Sequence, residues 1–132
     1  MSSWEDVRRI ALSLPESEER VSREKRQWRV KQKLFVWERP LRTKEAEELG
    51  RGAPAPGAPI LGARVEHLGA KQALLEDDPD VYFTTSHFEG YAAILIRLDR
   101  IAPGELEEAI VEAWLARAPK RLTQAFLAQR GG

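Results

Sequence analysis

Basic side chains in two separated segments are the residues whose types and spacing most directly indicate a chemistry. Four stand in a hairpin-like stretch and three near the C-terminus: Lys25, Arg29, Lys31, Lys33, Arg117, Lys120 and Arg121. Ammonium and guanidinium groups spaced along a two-stranded ribbon can follow the phosphates of a nucleic acid. The alternative for the first four is a solvated sheet face, or one neutralised by the acidic middle of the chain.

The C-terminal group stands at the start of a predicted helix. Lys120 and Arg121 fall in its first turn, where a positive charge opposes the helix dipole at a cost of about 0.3–1 kcal/mol when exposed. That placement becomes favourable if an anion binds there, because free backbone N–H groups and the side chains would converge on it. Pairing with a carboxylate of a neighbouring element, such as Glu112 or Glu89, is the alternative.

The formal net charge is zero, which argues against a strongly basic nucleic-acid-binding protein, but the charge is unevenly distributed. Residues 20–44 carry ten basic and two acidic groups, and residues 117–132 carry four basic groups and no acid. Residues 1–19 have a net charge of −3 and residues 45–116 of −9. A chain with this segregation can present a basic patch although its charges sum to zero.

The two histidines and their neighbours do not have the spacing of a catalytic or metal-binding set. His67 and His87 stand on different predicted elements, and a metal site would need both to converge with a carboxylate. Ser86 and Glu89 flank His87, but no strand-turn-helix elbow surrounds the serine. We therefore expect no enzyme activity, no metal and no cofactor, and a packing or turn-stabilising role for His87.

Length and composition indicate one domain that spans residues 1–132. The chain contains no cysteine, which excludes a disulfide framework, thiolate zinc sites and a cysteine nucleophile. Its start lacks the basic-then-apolar order of a secretion signal, and no apolar run approaches the ~20 residues that span a bilayer. These features predict a cytoplasmic protein without membrane contact.

Hydrophobic spacing and helix-breaking residues predict the elements that must position the basic side chains. The predicted helices cover residues 3–14, 43–49, 69–77, 103–117 and a last segment from residue 119. The predicted strands are two in a hairpin over residues 25–39, followed by 61–65, 81–85 and 91–99. Residues 16–24 are expected to form a charged loop, and residues 40–59, with GRGAPAPGAP, a Pro- and Gly-rich surface excursion.

Two registers are open for the hairpin. If its turn centres on Gln32–Lys33, then Lys31 pairs with Leu34, and one face holds Trp28, Val30, Phe35 and Trp37. This register is preferred because it gathers three aromatic side chains and a valine into the core. The opposite face then carries Lys25, Gln27, Arg29 and Lys31. A slip of one residue would divide the aromatic side chains between the faces, leaving one of them free to stack on bases beside the basic residues.

Four segments in the order of the chain carry a resemblance to a known family: WEDVRRIALSLP, WRVKQKLFVW, LLEDDPDVYFTTSHFEGYAAILIRL and APKRL. They resemble the MmcQ/YjbR family over nearly the whole chain outside residues 40–59. The resemblance implies a two-layer α+β fold with a five-stranded antiparallel sheet and helices mainly on one face. The implied order is secretion-chaperone-like, α-β-β-β-α-β-β-α, which agrees with the elements predicted from the residues.

Two functional hypotheses follow. The family is commonly labelled DNA-binding, so the resemblance implies a small domain that contacts DNA, and the basic side chains indicate contact mainly through phosphates. The alternative is a protein-interaction or chaperone-like adaptor that uses the open sheet face or residues 40–59. The first hypothesis requires the fold to bring the two basic segments together.

Overall fold

A six-stranded antiparallel sheet forms the centre of the computed structural model, which describes residues 1–131. The strand order is β1-β2-β3-β4-β6-β5, with β1 (Ser17–Ser22), β2 (Lys25–Val30), β3 (Lys33–Glu38), β4 (Ile60–Arg64), β5 (Tyr82–Phe83) and β6 (Ala93–Arg97). The described α-helices are α1 (Trp4–Ser13), α2 (Thr43–Leu49), α3 (Leu68–Asp77), α4 (Pro103–Arg117) and α5 (Lys120–Gly131). The predicted α+β class with an antiparallel sheet is confirmed. None of the described helices is both long and apolar enough to cross a membrane.

The main hydrophobic core lies between one face of the sheet, here called the core face, and helices α1 and α4. Helix α1 begins with a capping box, in which Ser3 and Asp6 each accept a hydrogen bond from the other's backbone N–H. Helix α4 begins with Pro103 at its first position, as the sequence predicts. The largest fully buried side chains of this core include Trp28, Trp114 and Phe35.

The opposite side of the sheet, the outer face, carries a second and smaller core that residues 40–59 help to cover. Leu41 and Leu49 pack against a buried cluster of Ile60, Phe83, Phe88, Ala93 and Leu95. The buried pair of Arg39 and Glu45 holds the start of the segment, and the Arg97 guanidinium donates to the Gly52 carbonyl farther along. The segment therefore lies at the surface but is anchored to the sheet.

The segment predicted as a charged loop, residues 16–24, instead forms an edge strand, so the sheet has six strands rather than five. Strand β1 pairs with β2 along its whole length. The connection is a tight turn in which Arg23 and Glu24 have positive φ values of 52° and 66°. Because most β1 side chains are charged or polar and exposed, as edge strands require, hydrophobic alternation does not reveal the strand.

The hairpin of β2 and β3 adopts a register shifted by one residue from the preferred prediction. Val30 pairs with Lys33, so the turn centres on Lys31–Gln32, whose φ values are 48° and 69°. The predicted pairing of Lys31 with Leu34 is therefore wrong. Turns with two positive φ values match the twist of paired strands, and this geometry is favoured although neither residue is glycine.

A bulge in β3 redistributes its aromatic side chains. Arg29 pairs with Leu34 and Trp28 with Val36, so Phe35 has no partner in β2. As a result, Phe35 and Val36 both lie in the main core, and Trp37 lies on the outer face. Trp37 there lies over Gly62, where an added Cβ would stand 2.3 Å from the indole ring. The prediction that Trp37 shares a face with Trp28 is wrong, because a bulge reverses the alternation of the strand.

Candidate functional site

The length of helix α4 determines where the C-terminal basic residues lie. The helix starts beyond the end of β6, and its 15 residues span about 22 Å, close to the length of a six-residue strand. Its last turn therefore reaches the other end of the sheet, where the Trp114 indole donates to the Pro15 carbonyl at 3.1 Å. Ser17, just beyond Pro15, pairs with Val30 next to the β2–β3 turn. The turn and the start of α5 consequently stand at the same end of the sheet.

Five of the seven predicted basic residues are gathered at this end. We call this surface the basic end, and its members are Lys31, Lys33, Arg117, Lys120 and Arg121. Lys31, Lys33, Lys120 and Arg121 are exposed, and Arg117 is half-buried. The fold thus brings together charges that are about ninety residues apart along the chain.

Glu16 is the carboxylate that both basic segments reach. The Lys31 ammonium forms an ion pair with it, and the hydrogen bond from Lys31 lowers the pKa of Glu16 below its usual value. The charge of Arg121 lowers the same pKa further. Glu16 was predicted to lie in a charged loop, and its position at the basic end was not predicted. The chain turns there at Glu16 itself, which has a positive φ of 53°.

The other members of the basic end are not neutralised in this way. Within residues 1–131, no carboxylate lies within 4.0 Å of Lys33, Arg117, Lys120 or Arg121. The alternative that Glu112 or Glu89 pairs with the α5 cations therefore does not describe this structure. The basic end keeps most of its charge available to a ligand.

The remaining two predicted residues, Arg29 and Lys25, lie on the outer face of β2, beyond the basic end. Arg29 is half-buried and donates to the Gln27 side chain at 2.8 Å and to the Gln32 carbonyl at 3.1 Å. Lys25 is exposed on the same face, four residues away and so about 13 Å distant. Lys25 therefore lies toward the opposite end of the strand, and the structure does not bring it to α5.

The serine and histidines that invite a catalytic interpretation have structural partners instead. The Ser86 hydroxyl donates to Glu48 at 2.7 Å, and the His87 ring stands edge-on to Phe88 with centroids 4.9 Å apart. His67 caps helix α3 by accepting from the Ala70 backbone N–H. In the part of the chain that the structure describes, no three His, Cys, Asp or Glu side chains are grouped to hold a metal.

Buried charges that hold the loops of the outer face were not predicted from the sequence. The Lys71 ammonium donates to the carbonyls of Phe88 and Tyr91 at 2.7 and 2.9 Å, and burial lowers the pKa of Lys71. Arg39 and Glu45 form a two-bonded pair, with distances of 3.0 and 2.8 Å. No local pattern distinguishes these residues from surface charges, since their burial depends on contacts distant in sequence.

The fold and the surface define a small two-layer α+β domain in which two basic segments that are distant in sequence meet at one end of an antiparallel sheet. The YjbR family profile matches residues 12–116, and the chain belongs to that family. The match ends before Arg117, so the α5 part of the basic end lies beyond it.

Two kinds of relatives resemble the chain. Uncharacterized proteins of Mycobacterium tuberculosis and Mycobacterium bovis are each 51% identical over 132 residues, covering 99% of this chain and all of theirs. The crystal structure of Deinococcus radiodurans protein DR2400, a DUF419 domain protein, has a TM-score of 0.67 at 17% identity. That comparison covers 99% of this chain and 89% of the other, and it shows a shared fold.

Proposed function

We propose that this YjbR domain binds nucleic acid through its basic end and acts without catalysis. The observation that carries the proposal is the convergence of two distant basic segments on one surface, where both reach the carboxylate of Glu16. Cations that repel one another at the same end of a fold destabilise it unless an anion is bound. A polyanion such as DNA supplies the negative charge that offsets this repulsion.

The chemistry of the basic end favours phosphates over bases. The lysine ammonium groups in the β2–β3 turn and in the first turn of α5 are mobile point charges. Such groups bind the phosphate backbone of a nucleic acid and do not discriminate between base edges. Trp37, which could have served as a stacking platform, is packed on the outer-face core. The expected mode is therefore weak, largely sequence-independent binding with a dissociation constant of about 10⁻⁴–10⁻⁶ M at physiological salt. The proposal includes a cytoplasmic location, in keeping with a chain that has no cysteine.

Replacing Lys120 and Arg121 together by alanine is expected to weaken DNA binding by about 1–2 kcal/mol. Each of the two removed phosphate contacts also reduces the dependence of log K on log salt by about 0.9. Fluorescence anisotropy with labelled duplex and single-stranded DNA at 50 and 200 mM salt measures both quantities. Unchanged affinity and slope would contradict the proposal.

A matched control removes the same charge elsewhere. Arg51 and Arg100 are exposed and lie outside both basic segments, and neither is within 4.0 Å of a carboxylate in residues 1–131. The Arg51→Ala/Arg100→Ala variant has the same net charge as the first variant. It is expected to keep most of the wild-type affinity, which separates a local contact from a general effect of charge.

Replacing Glu16 by glutamine is expected to strengthen DNA binding about threefold at 50 mM salt and less at 200 mM, because the change releases Lys31 and removes a negative charge. The pair is about half exposed, so its loss is expected to change stability little. Anisotropy titrations compare it with Glu47→Gln, which makes the same charge change on the exposed side of α2. Weaker binding by Glu16→Gln would show that the basic end is not the binding surface.

The alternative function is a protein-interaction adaptor, and one observation favours it. Strand β1 is an edge strand whose outer side is unpaired in the described sheet, and its Val21 side chain is 66% exposed. A partner strand could add to this edge through main-chain hydrogen bonds. Absence of DNA binding at 50 mM salt, together with a partner that protects β1 amides from exchange, would favour this alternative.

A further inference from the structure

A surface cavity opens at the end of β2 opposite the basic end. It lies between the β1–β2 turn and the segment that leads from β3 into α2, residues 39–42. Its volume is about 410 Å³, within the range of about 300–1,000 Å³ that small-molecule sites occupy. Lys25, which begins β2 and borders the cavity, stands six residues before Lys31 and so about 20 Å away along the strand. The cavity is therefore separate from the basic end.

Three exposed cations border the cavity from three different segments. Arg23 stands in the β1–β2 turn, Lys25 at the start of β2, and Arg42 directly before α2. Within residues 1–131, no carboxylate lies within 4.0 Å of any of the three. Like charges around one cavity repel one another, so an anion bound among them lowers the electrostatic free energy of the fold.

Among residues 1–131, Glu38 is the carboxylate that borders the cavity, and it already has a partner. Its Oε1 accepts from the Arg26 backbone N–H at 2.7 Å and from the Arg26 Nε at 2.8 Å. Glu24, which follows Arg23 in the turn, is exposed and does not border the cavity. The cavity therefore keeps a net positive charge.

The inner wall of the cavity is fixed and partly apolar. Arg39 is buried there, paired with Glu45, and its guanidinium also donates to the Pro40 carbonyl at 2.8 Å and lies over the Phe88 ring. Leu41, beside it, packs against the outer-face core. A wall that is already ordered costs little conformational entropy when a ligand binds. The cavity thus combines a charged rim with a preformed surface for an apolar body.

We propose that this cavity binds a small phosphate monoester, with its phosphate among Arg23, Lys25 and Arg42 and its apolar body on Leu41. A phosphate monoester carries a charge of about −1.5 to −2 at pH 7 and three strong acceptor oxygens, which suits three cations better than the single charge of a carboxylate. The site lies at the other end of the strand from the basic end, and it does not depend on the DNA binding proposed there.

Isothermal titration of the full chain with phenyl phosphate tests the proposal, and the NMR shifts of the backbone amides of residues 23–25, 41 and 42 locate the ligand. Phenyl sulfate has the same ring with one charge and is the matched probe. The expected dissociation constant for phenyl phosphate is about 1 mM or below, and phenyl sulfate is expected to bind about tenfold more weakly. Equal binding of the two probes, or shifts confined to the basic end, would overturn the proposal.

The protonation of the ligand provides a second readout. The second pKa of a phosphate monoester is about 6, so phenyl phosphate loses one charge as the pH falls from 7.5 to 5. Its affinity should fall several-fold over this interval, whereas that of phenyl sulfate should stay constant. A parallel change for both probes would contradict recognition of the doubly charged phosphate.

Variants locate the interaction in the cavity. Arg42→Gln and Lys25→Gln are each expected to weaken phenyl phosphate binding about five- to tenfold. Arg51→Gln is the control, because Arg51 is exposed and does not border the cavity. Arg42→Gln should leave DNA binding at the basic end unchanged, so a failure of this site is distinguishable from a failure of the proposed function. Equal effects of Arg42→Gln and Arg51→Gln on phenyl phosphate would contradict the site.

Competition distinguishes a small ligand from the end of a nucleic acid. A 5′-phosphorylated oligonucleotide is expected to displace phenyl phosphate no better than phenyl phosphate itself binds, because the cavity accommodates one phosphate and its body. The same oligonucleotide with a 5′-hydroxyl controls for general attraction of charge. Displacement by the 5′-phosphorylated form alone, at concentrations at least tenfold lower, would assign the cavity to nucleic-acid ends and overturn the small-molecule proposal.

Discussion

Replacing Glu45 with alanine is expected to lower the free energy of unfolding by about 3–5 kcal/mol. The carboxylate is 6% exposed and accepts two hydrogen bonds from the Arg39 guanidinium, one from the Thr85 hydroxyl and one from the Arg42 backbone N–H. Its removal leaves a buried guanidinium without its counter-charge. Urea unfolding followed by tryptophan fluorescence and far-UV circular dichroism measures the loss.

Two further variants separate the ion pair from general damage to α2. The double variant Arg39→Met/Glu45→Leu removes both charges and is expected to be more stable than Glu45→Ala alone, because no isolated charge stays buried. Glu47 is exposed on the same helix, and Glu47→Ala is expected to change stability by no more than about 0.5 kcal/mol. A loss below about 1 kcal/mol for Glu45→Ala would show that the pair does not anchor residues 40–59.

The same pair predicts a pH dependence of stability. Burial by itself would raise the pKa of Glu45, but the hydrogen bonds and charge of Arg39 outweigh burial and lower it. A lowered pKa in the folded state means that the carboxylate stabilises the fold above its unfolded pKa of about 4.3 and loses this effect as the pH falls through the folded value. The difference in unfolding free energy between wild type and Glu45→Gln should therefore shrink below about pH 4. A difference that is constant from pH 7 to pH 3 would contradict this assignment.

Local signals predicted most helices and failed at the hairpins, for a physical reason. Helix α4 was predicted at its observed bounds because a proline, early acids and a continuous apolar stripe all act within the helix itself. The turns at Arg23–Glu24 and Lys31–Gln32 adopt positive φ without glycine or asparagine, so no local residue type marks them. Their conformation is imposed by strand pairing, and the bulge at Phe35 likewise depends on which neighbours the strand meets.

The basic residues of the candidate site were predicted, but their convergence was not derivable from local sequence. Charge segregation identifies Lys31 and Arg121 as members of basic segments, yet it does not say that both approach Glu16. That contact depends on the length of α4, which carries the chain from one end of the sheet to the other. Arg39 and Arg26 belong to the same basic stretch and are occupied instead in pairs with Glu45 and Glu38.

Trp114 connects the elements that form the basic end. Its side chain is fully buried, its indole N–H donates to the Pro15 carbonyl, and its ring centroid lies 5.0 Å from that of Phe126. Among the α5 side chains, Leu122 is buried and Phe126 is packed against the main core. The packing of this indole therefore helps to fix the position of Lys120 and Arg121 relative to Glu16.

Trp114→Ala is accordingly expected to lower the free energy of unfolding by about 3–5 kcal/mol, and Trp114→Phe, which retains an aromatic ring but loses the hydrogen bond, by about 1–2 kcal/mol. Urea unfolding measures both losses, with Leu127→Ala as the control because Leu127 is 52% exposed on α5. In Trp114→Phe the weakened contact with Phe126 should speed amide exchange in residues 120–131 more than in the sheet. If α5 amides were unaffected while the whole domain lost stability, Trp114 would support the core without positioning the basic end.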